Sequence, residues 1–197
     1  MRIVFHFLSL IAVLTLVPAF YEAPAVPGAN ANVAAAAAAT SSTPDYAEVR
    51  SFLEARMHFT DVAYNELTRT ILTEARRAGL EPSLIVSLIH VESSGNPRAI
   101  SKVGAMGLMQ LLPGPAEAMS AELGIAWEGP DSLYDPNFNV RLGVYYLGKL
   151  VTRFENLDTA LAAYNWGPTH IARVIRKGSA LPVRYSESVR RARVAMI

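Results

Sequence analysis

The sequence predicts an all-α fold, or an α-rich one with a small irregular or β-like patch around Ser101–Gln110. Three observations carry that expectation. Apolar residues recur at helical spacing in most segments beyond residue 45. No long run alternates apolar with polar residues, as a half-buried strand would. Glycine and proline fall where the periodic segments should start and stop.

Taken in order, Tyr46–Phe59 and Val62–Ala78 are amphipathic, and Gly79 closes the second. Pro82 suits the first turn of a third helix, because its missing N–H costs little there. Leu84, Ile85, Leu88 and Ile89 then recur with helical spacing up to Glu92. Gly95 fits a C-cap, and Pro97 prevents continuation. Gly107–Leu112 begins a short apolar segment that Pro113 and Pro115 stop. Ala116–Leu123 is helical in composition, with Gly124 as its cap. Asn139–Phe154 places Val140, Val144, Leu147 and Val151 on one face. Asp158–Tyr164 and His170–Arg176 complete the set, and Tyr185–Val194 forms a terminal helix.

The ends of this pattern divide the chain. Residues 1–19 read as a signal peptide or N-terminal anchor: Arg2 supplies a positive charge and Ile3–Val17 is nearly continuously apolar. That run is short for a membrane span, which needs roughly 20 residues. Residues 20–44 are rich in Ala, Pro and Ser and form a linker, since small residues without periodicity bury no core. Residues 45–197 are the expected folded domain. The expected location is the periplasm or cell envelope, with anchoring to the inner membrane through residues 3–17 as the variant.

Composition excludes several functions. The chain has 197 residues and a formal net charge of +1, so it lacks the overall basic field of a nucleic-acid binder. It has no cysteine, which removes disulfides, thiolate catalysis and cysteine-ligated zinc. His90-Val91-Glu92 is half of a zinc deaminase pattern, but the required cysteines are missing. The four histidines, His6, His58, His90 and His170, show no ligand spacing. Neither metal nor cofactor is expected.

Glu92 is the residue most charged with function. No other acidic residue lies between Glu81 and Glu117. It stands four residues after Leu88 and seven after Ile85, which puts it on the buried helix face. Desolvation and the negative end of the helix dipole should both raise its pKa. A carboxyl still protonated near neutral pH can act as a general acid. The bland alternative is a glutamate that reaches solvent at a helix end.

Two further segments matter. In Ser101–Pro113, Gly104 and Gly107 permit close backbone approach, without the spacing of a dinucleotide or phosphate loop. Gln110 is a polar group in an apolar setting, suited to a sugar amide or hydroxyl, or else satisfied by backbone. In Ala162–Pro168, Trp166 could stack on a sugar ring or pack as rim. Arg184, Arg190, Arg191 and Arg193 form a solvated basic face that could meet an anionic wall polymer.

These segments agree in order with a known pattern. Glu92-Ser93-x-x-Asn96-Pro97-x-Ala99-x-Ser101, followed by Gly104-Ala105-x-Gly107-Leu108-Met109-Gln110-x-x-Pro113, resembles the core signature of the soluble lytic transglycosylases, the SLT-type, goose-lysozyme-like family. Asp135-Pro136, Asn139 and Gly143-x-x-Tyr146-Leu147 resemble its central helix. Ala163-Tyr164-Asn165-x-Gly167 and Tyr185-x-x-x-Val189 resemble two later elements, so the likeness spans about residues 65 to 190. Gly95 departs at a position often aromatic, Leu112 stands where Met is usual, and Pro115 stands where Thr is common.

The resemblance implies a lysozyme-like α fold acting on peptidoglycan glycan strands. Glu92 corresponds to the single catalytic acid/base. Ser101, Met109 and Gln110 are expected to bind substrate, as are Tyr164, beside the catalytic carboxylate, and Asn165. The implied reaction cleaves the β-1,4 bond between MurNAc and GlcNAc without water and leaves 1,6-anhydroMurNAc ends. The alternatives are a hydrolytic goose-type lysozyme, with Glu117, Asp131 or Asp135 placing the water, and a non-catalytic peptidoglycan-binding protein. A monomer is expected, with no nucleic-acid partner and with an envelope-spanning secretion or conjugation machine as a candidate partner.

Overall fold

A computed structural model describes residues 44–57 and 59–194. The targeting segment and nearly all of the linker lie outside the described residues. The described chain is helical, with two isolated β-bridges, Ile100 to Met106 and Met106 to Leu111, as its extended pairing. The all-α expectation and the small β-like patch both hold.

Helices α1 (Pro44–Arg56) and α2 (Asp61–Arg77) pack against each other and against the central helix. Helix α1 buries Val49, Phe52 and Leu53, and α2 buries Tyr64, Leu67, Ile71, Leu72 and Ala75. The Thr60 hydroxyl caps α2 by accepting from the Ala63 amide at 3.3 Å. Helix α3 (Pro82–Ser93) is the core element. Every residue from Leu84 to Ile89 is buried, Ser87 included, as expected of a helix enclosed on all sides. Its neighbours are α1, α2 and the terminal helix α8 (Arg184–Val194).

Helix α4 (Pro113–Glu122) begins at the proline that the sequence pattern assigns as a stop. Pro113 occupies the first turn, where proline is favoured rather than disruptive. The preceding 107–112 segment is accordingly a turn that carries the second β-bridge. A 3-10 turn (Pro130–Tyr134), absent from the sequence expectation, buries Leu133 and leads into α5 (Pro136–Phe154). The Asp135 carboxylate caps α5 by accepting from the Phe138 amide at 2.7 Å. Helix α6 (Leu157–Trp166) is capped by Asn156 and buried from Thr159 to Asn165. Helix α7 (Pro168–Arg176) starts two residues before the expected His170, again on a first-turn proline.

Candidate functional site

The end of α3 sets the site. The left-handed cap is Ser94 (φ 54°) rather than Gly95. Gly95 also has a positive φ of 82°, and a Cβ there would lie 3.3 Å from Met57 Cγ and 3.4 Å from the Arg56 carbonyl. The close approach of the chain after α1 accounts for a glycine at a position often aromatic in the resembled family.

One turn earlier, Glu92 is largely enclosed and keeps only partial access to solvent. Desolvation by burial raises its pKa from the ordinary 4.5 to about 7. A short hydrogen bond from the Tyr185 hydroxyl to Glu92 Oε1 opposes that shift and does not cancel it. Burial beside Glu92 pushes the Tyr185 phenol well above its usual range, so it remains a proton donor. Among the described residues, no second carboxylate contributes to the Glu92 shift. Of the acids considered for water placement, Asp135 is the α5 cap, and Glu117 and Asp131 are solvent-exposed.

The 99–111 loop forms a wall held from behind by Asn139, which is fully buried on α5. Its amide accepts from the Met109 N–H at 2.8 Å and donates to the Met106 and Leu133 carbonyls at 3.0 and 2.9 Å. Gly107 (φ 78°) is required here: a Cβ would lie 2.2 Å from both Asn139 Nδ2 and the Leu133 carbonyl. Gly143 makes room for the Met109 side chain, since a Cβ there would meet Met109 Sδ at 2.5 Å.

These contacts redistribute the expected roles. Met109 is 0% exposed and packs against Gly143, so its side chain supports the wall from inside and is out of reach of a substrate. Gln110 Nε2 donates to the Ala99 and Gly107 carbonyls at 3.1 and 3.0 Å, which is the backbone-satisfied alternative for that nitrogen. Ser101 Oγ accepts from the Ala105 amide at 2.9 Å and helps close the turn. Tyr164 donates to the Met109 carbonyl at 2.8 Å and packs its ring on Tyr146, 5.4 Å away. The phenol that holds Glu92 is therefore Tyr185, and Tyr164 ties α6 to the wall. Asn165 is buried at the end of α6. Trp166 is 39% exposed and stacks on His170.

Sequence reasoning assigned no chemistry to Tyr185, although it stood in a recognised motif. The missing information was its spatial partner, 93 residues away.

The fold and site define an all-α protein in which, among the described residues, the enclosed Glu92 carboxyl is held by Tyr185 and no carboxylate acts on it. The transglycosylase SLT domain family matches residues 69–185, more than half of the chain. The chain belongs to that family. It is 39% identical over 98 residues to a transglycosylase of Enterobacteria phage PRD1, covering 50% of this chain and 34% of the phage protein. It is 35% identical over 112 residues to the soluble lytic murein transglycosylase of Salmonella typhimurium, covering 56% of this chain and 17% of that one. Among solved structures it resembles an inactive mutant of the lytic transglycosylase Slt from Pseudomonas aeruginosa. That likeness has a TM-score of 0.53 and 32% identity, over 65% of this chain and 22% of the other. The match thus spans between 17% and 34% of the length of these relatives.

Proposed function

We propose that the protein is a peptidoglycan lytic transglycosylase, with Glu92 as its one acid/base group. The observation that carries the reading is the Glu92 carboxyl, raised to about 7 by burial, with no carboxylate partner acting on it among the described residues. Two-carboxylate glycosidases divide proton donation from nucleophilic or water-activating work. Here a single group performs proton transfer in both directions. Protonated Glu92 donates to the glycosidic oxygen between MurNAc and GlcNAc as the C1–O bond breaks. The resulting carboxylate then takes the proton from the MurNAc C6 hydroxyl as that oxygen bonds to C1. The nucleophile belongs to the substrate, so its attack is intramolecular and no water is consumed. The Tyr185 hydroxyl positions the carboxyl and stabilises its ionised form. Tyr164 acts one step back, by fixing the loop wall.

The name of the Salmonella relative, a lytic murein transglycosylase, supports this substrate class, and the apolar run after Arg2 supports action in the cell envelope. Among the described residues, no helix is long and apolar enough to cross a membrane. The test is mass spectrometry of digested peptidoglycan. Every new MurNAc end should be a 1,6-anhydro ring, one water lighter than a hydrolysed end. Reducing ends throughout would make the protein a lysozyme instead.

A further inference from the structure

Helix α1 and the corner after it touch the end of α3 at two points, one on either side of Glu92 in the sequence. Before the acid, the Phe52 ring meets His90 edge-on, with ring centroids 6.2 Å apart. Beyond it, Met57 and the Arg56 carbonyl close on Gly95, leaving 3.3 and 3.4 Å to a Cβ built there. The Gly95 amide donates to Ser93 Oγ at 3.2 Å, and that hydroxyl donates to the Ile89 carbonyl at 3.1 Å. A push on Gly95 is therefore passed into the turn that carries Glu92.

The corner that makes the second contact is stiff. The Tyr64 hydroxyl donates to the Met57 carbonyl at 2.6 Å and accepts from the Phe59 amide at 3.2 Å, so one phenol on α2 pins both ends of the turn. Arg50 of α1 pairs with Asp61 of α2 at 2.8 Å and lies over the Tyr64 ring, 4.9 Å from its centroid. Met57 and Phe52 are both buried, and close packing transmits displacement rather than absorbing it. Phe52, Met57 and Tyr64 all precede residues 69–185, which carry the family likeness. Where the resembled family often has an aromatic, this chain has Gly95 and the corner packed onto it.

We infer that the α1–α2 corner, through Met57, is a positioning element for Glu92. By gripping α3 at His90 and Gly95 it keeps the carboxyl enclosed and aligned with the Tyr185 hydroxyl. Among the described residues the carboxyl has no hydrogen bond to Met57 or Phe52, so both act through the backbone of α3. The groups that face the acid electrostatically are Tyr185 on α8 and Tyr164 on α6, and the substitutions that test the corner leave both in place. The inference rests on the proposed acid/base role of Glu92 and adds a determinant of its geometry.

The test titrates Glu92 by carbon-13 NMR of its carboxyl in the full chain and, in parallel, measures glycan cleavage against pH. Met57→Ala removes the grip, and Met57→Leu restores its bulk. Tyr64→Phe frees the corner with almost no change of volume, a second route that leaves the core intact. In Met57→Ala and Tyr64→Phe the Glu92 midpoint should fall from about 7 by about one pH unit, because burial is the largest cause of its elevation. The alkaline limb of kcat/KM should move down with it, and kcat should drop about tenfold with KM unchanged, as for a misplaced acid. Met57→Leu should behave as wild type. Leu150→Ala removes core packing at the far end of α5, about 16 Å from Asn139 at about 1.5 Å per residue, and should move neither reading. An unmoved or raised midpoint in folded Met57→Ala and Tyr64→Phe would overturn the inference. So would a rise in KM at constant kcat, which would make the corner a substrate contact. An equal shift in Leu150→Ala would reduce the effect to general loosening and likewise overturn it. A lowered midpoint in variants of a protein whose wild type cleaves no glycan would sink the transglycosylase reading alone and leave this inference standing.

Discussion

Asn139 and Glu92 are both polar groups set into apolar helices, and they differ in how completely the protein satisfies them. Asn139 is 0% exposed and makes three hydrogen bonds with backbone groups of the loop and the 3-10 turn. Among the described residues Glu92 has one hydrogen-bond partner, and it has a partly open edge and a raised pKa. Full satisfaction gives rigidity and a single geometry. Incomplete satisfaction leaves capacity for a proton and for a ligand. The first arrangement builds the wall, and the second carries the proposed chemistry.

The largest effect should come from removing the acid. Glu92→Gln keeps the shape and loses the proton, so turnover should fall at least about a hundredfold while the helical circular dichroism is retained. Near-wild-type turnover of the purified variant would end the assignment. The same substitution also reads the buried charge. Folded protein holds the Glu92 proton up to about pH 7, whereas the ordinary value is 4.5, so this group's contribution to stability falls as pH rises through that window. Relative to wild type, Glu92→Gln should therefore gain about 1–3 kcal/mol between about pH 4 and pH 8, measurable by denaturant unfolding at both pH values.

Asn139→Ala should act on the other side of the comparison. It strands the Met109 N–H and takes a donor from the Leu133 carbonyl, while the Met106 carbonyl keeps its bond from the Leu111 amide, at a cost of about 2–4 kcal/mol in unfolding free energy. A loss below about 1 kcal/mol would mean that water or side-chain repacking replaces the clasp.

The two tyrosines sharpen the contrast further. Tyr185→Phe removes the hydrogen bond that favours the Glu92 carboxylate, so the alkaline limb of kcat/KM should move above its expected position near pH 7. The maximal rate should fall several-fold through loss of positioning. Tyr164→Phe breaks a bond to the Met109 carbonyl and should cost about 1 kcal/mol of stability without moving that limb. If the limb moves in Tyr164→Phe and not in Tyr185→Phe, the roles given to the two phenols are reversed.

The smallest effect belongs to the outer face. Arg190→Ala breaks a solvent-exposed pair with Asp158 and should change stability by no more than about 0.5 kcal/mol in thermal or chemical unfolding. A larger loss would show that α8 depends on that pair for its docking.

Local pattern by itself determined the helices, because burying one face imposes a period on apolar residues that survives in the chain as spacing. It also exposed Glu92, since one acid among Ile, Val and Leu stands out without any structure. Pattern misread the proline at 113 as a stop and began α7 at His170 instead of Pro168, because a proline that begins a helix and one that ends a helix look alike until the partner carbonyls are placed. The family resemblance, not local pattern, placed Met109 among the substrate-binding residues, and its side chain is buried. A glycine on α5 leaves a hole that the side chain fills, and that complementarity is invisible from either segment alone. The partner of Glu92 was decided by tertiary structure. Tyr185 lies 93 residues away, and only the packing of α8 along α3 brings its hydroxyl to the acid.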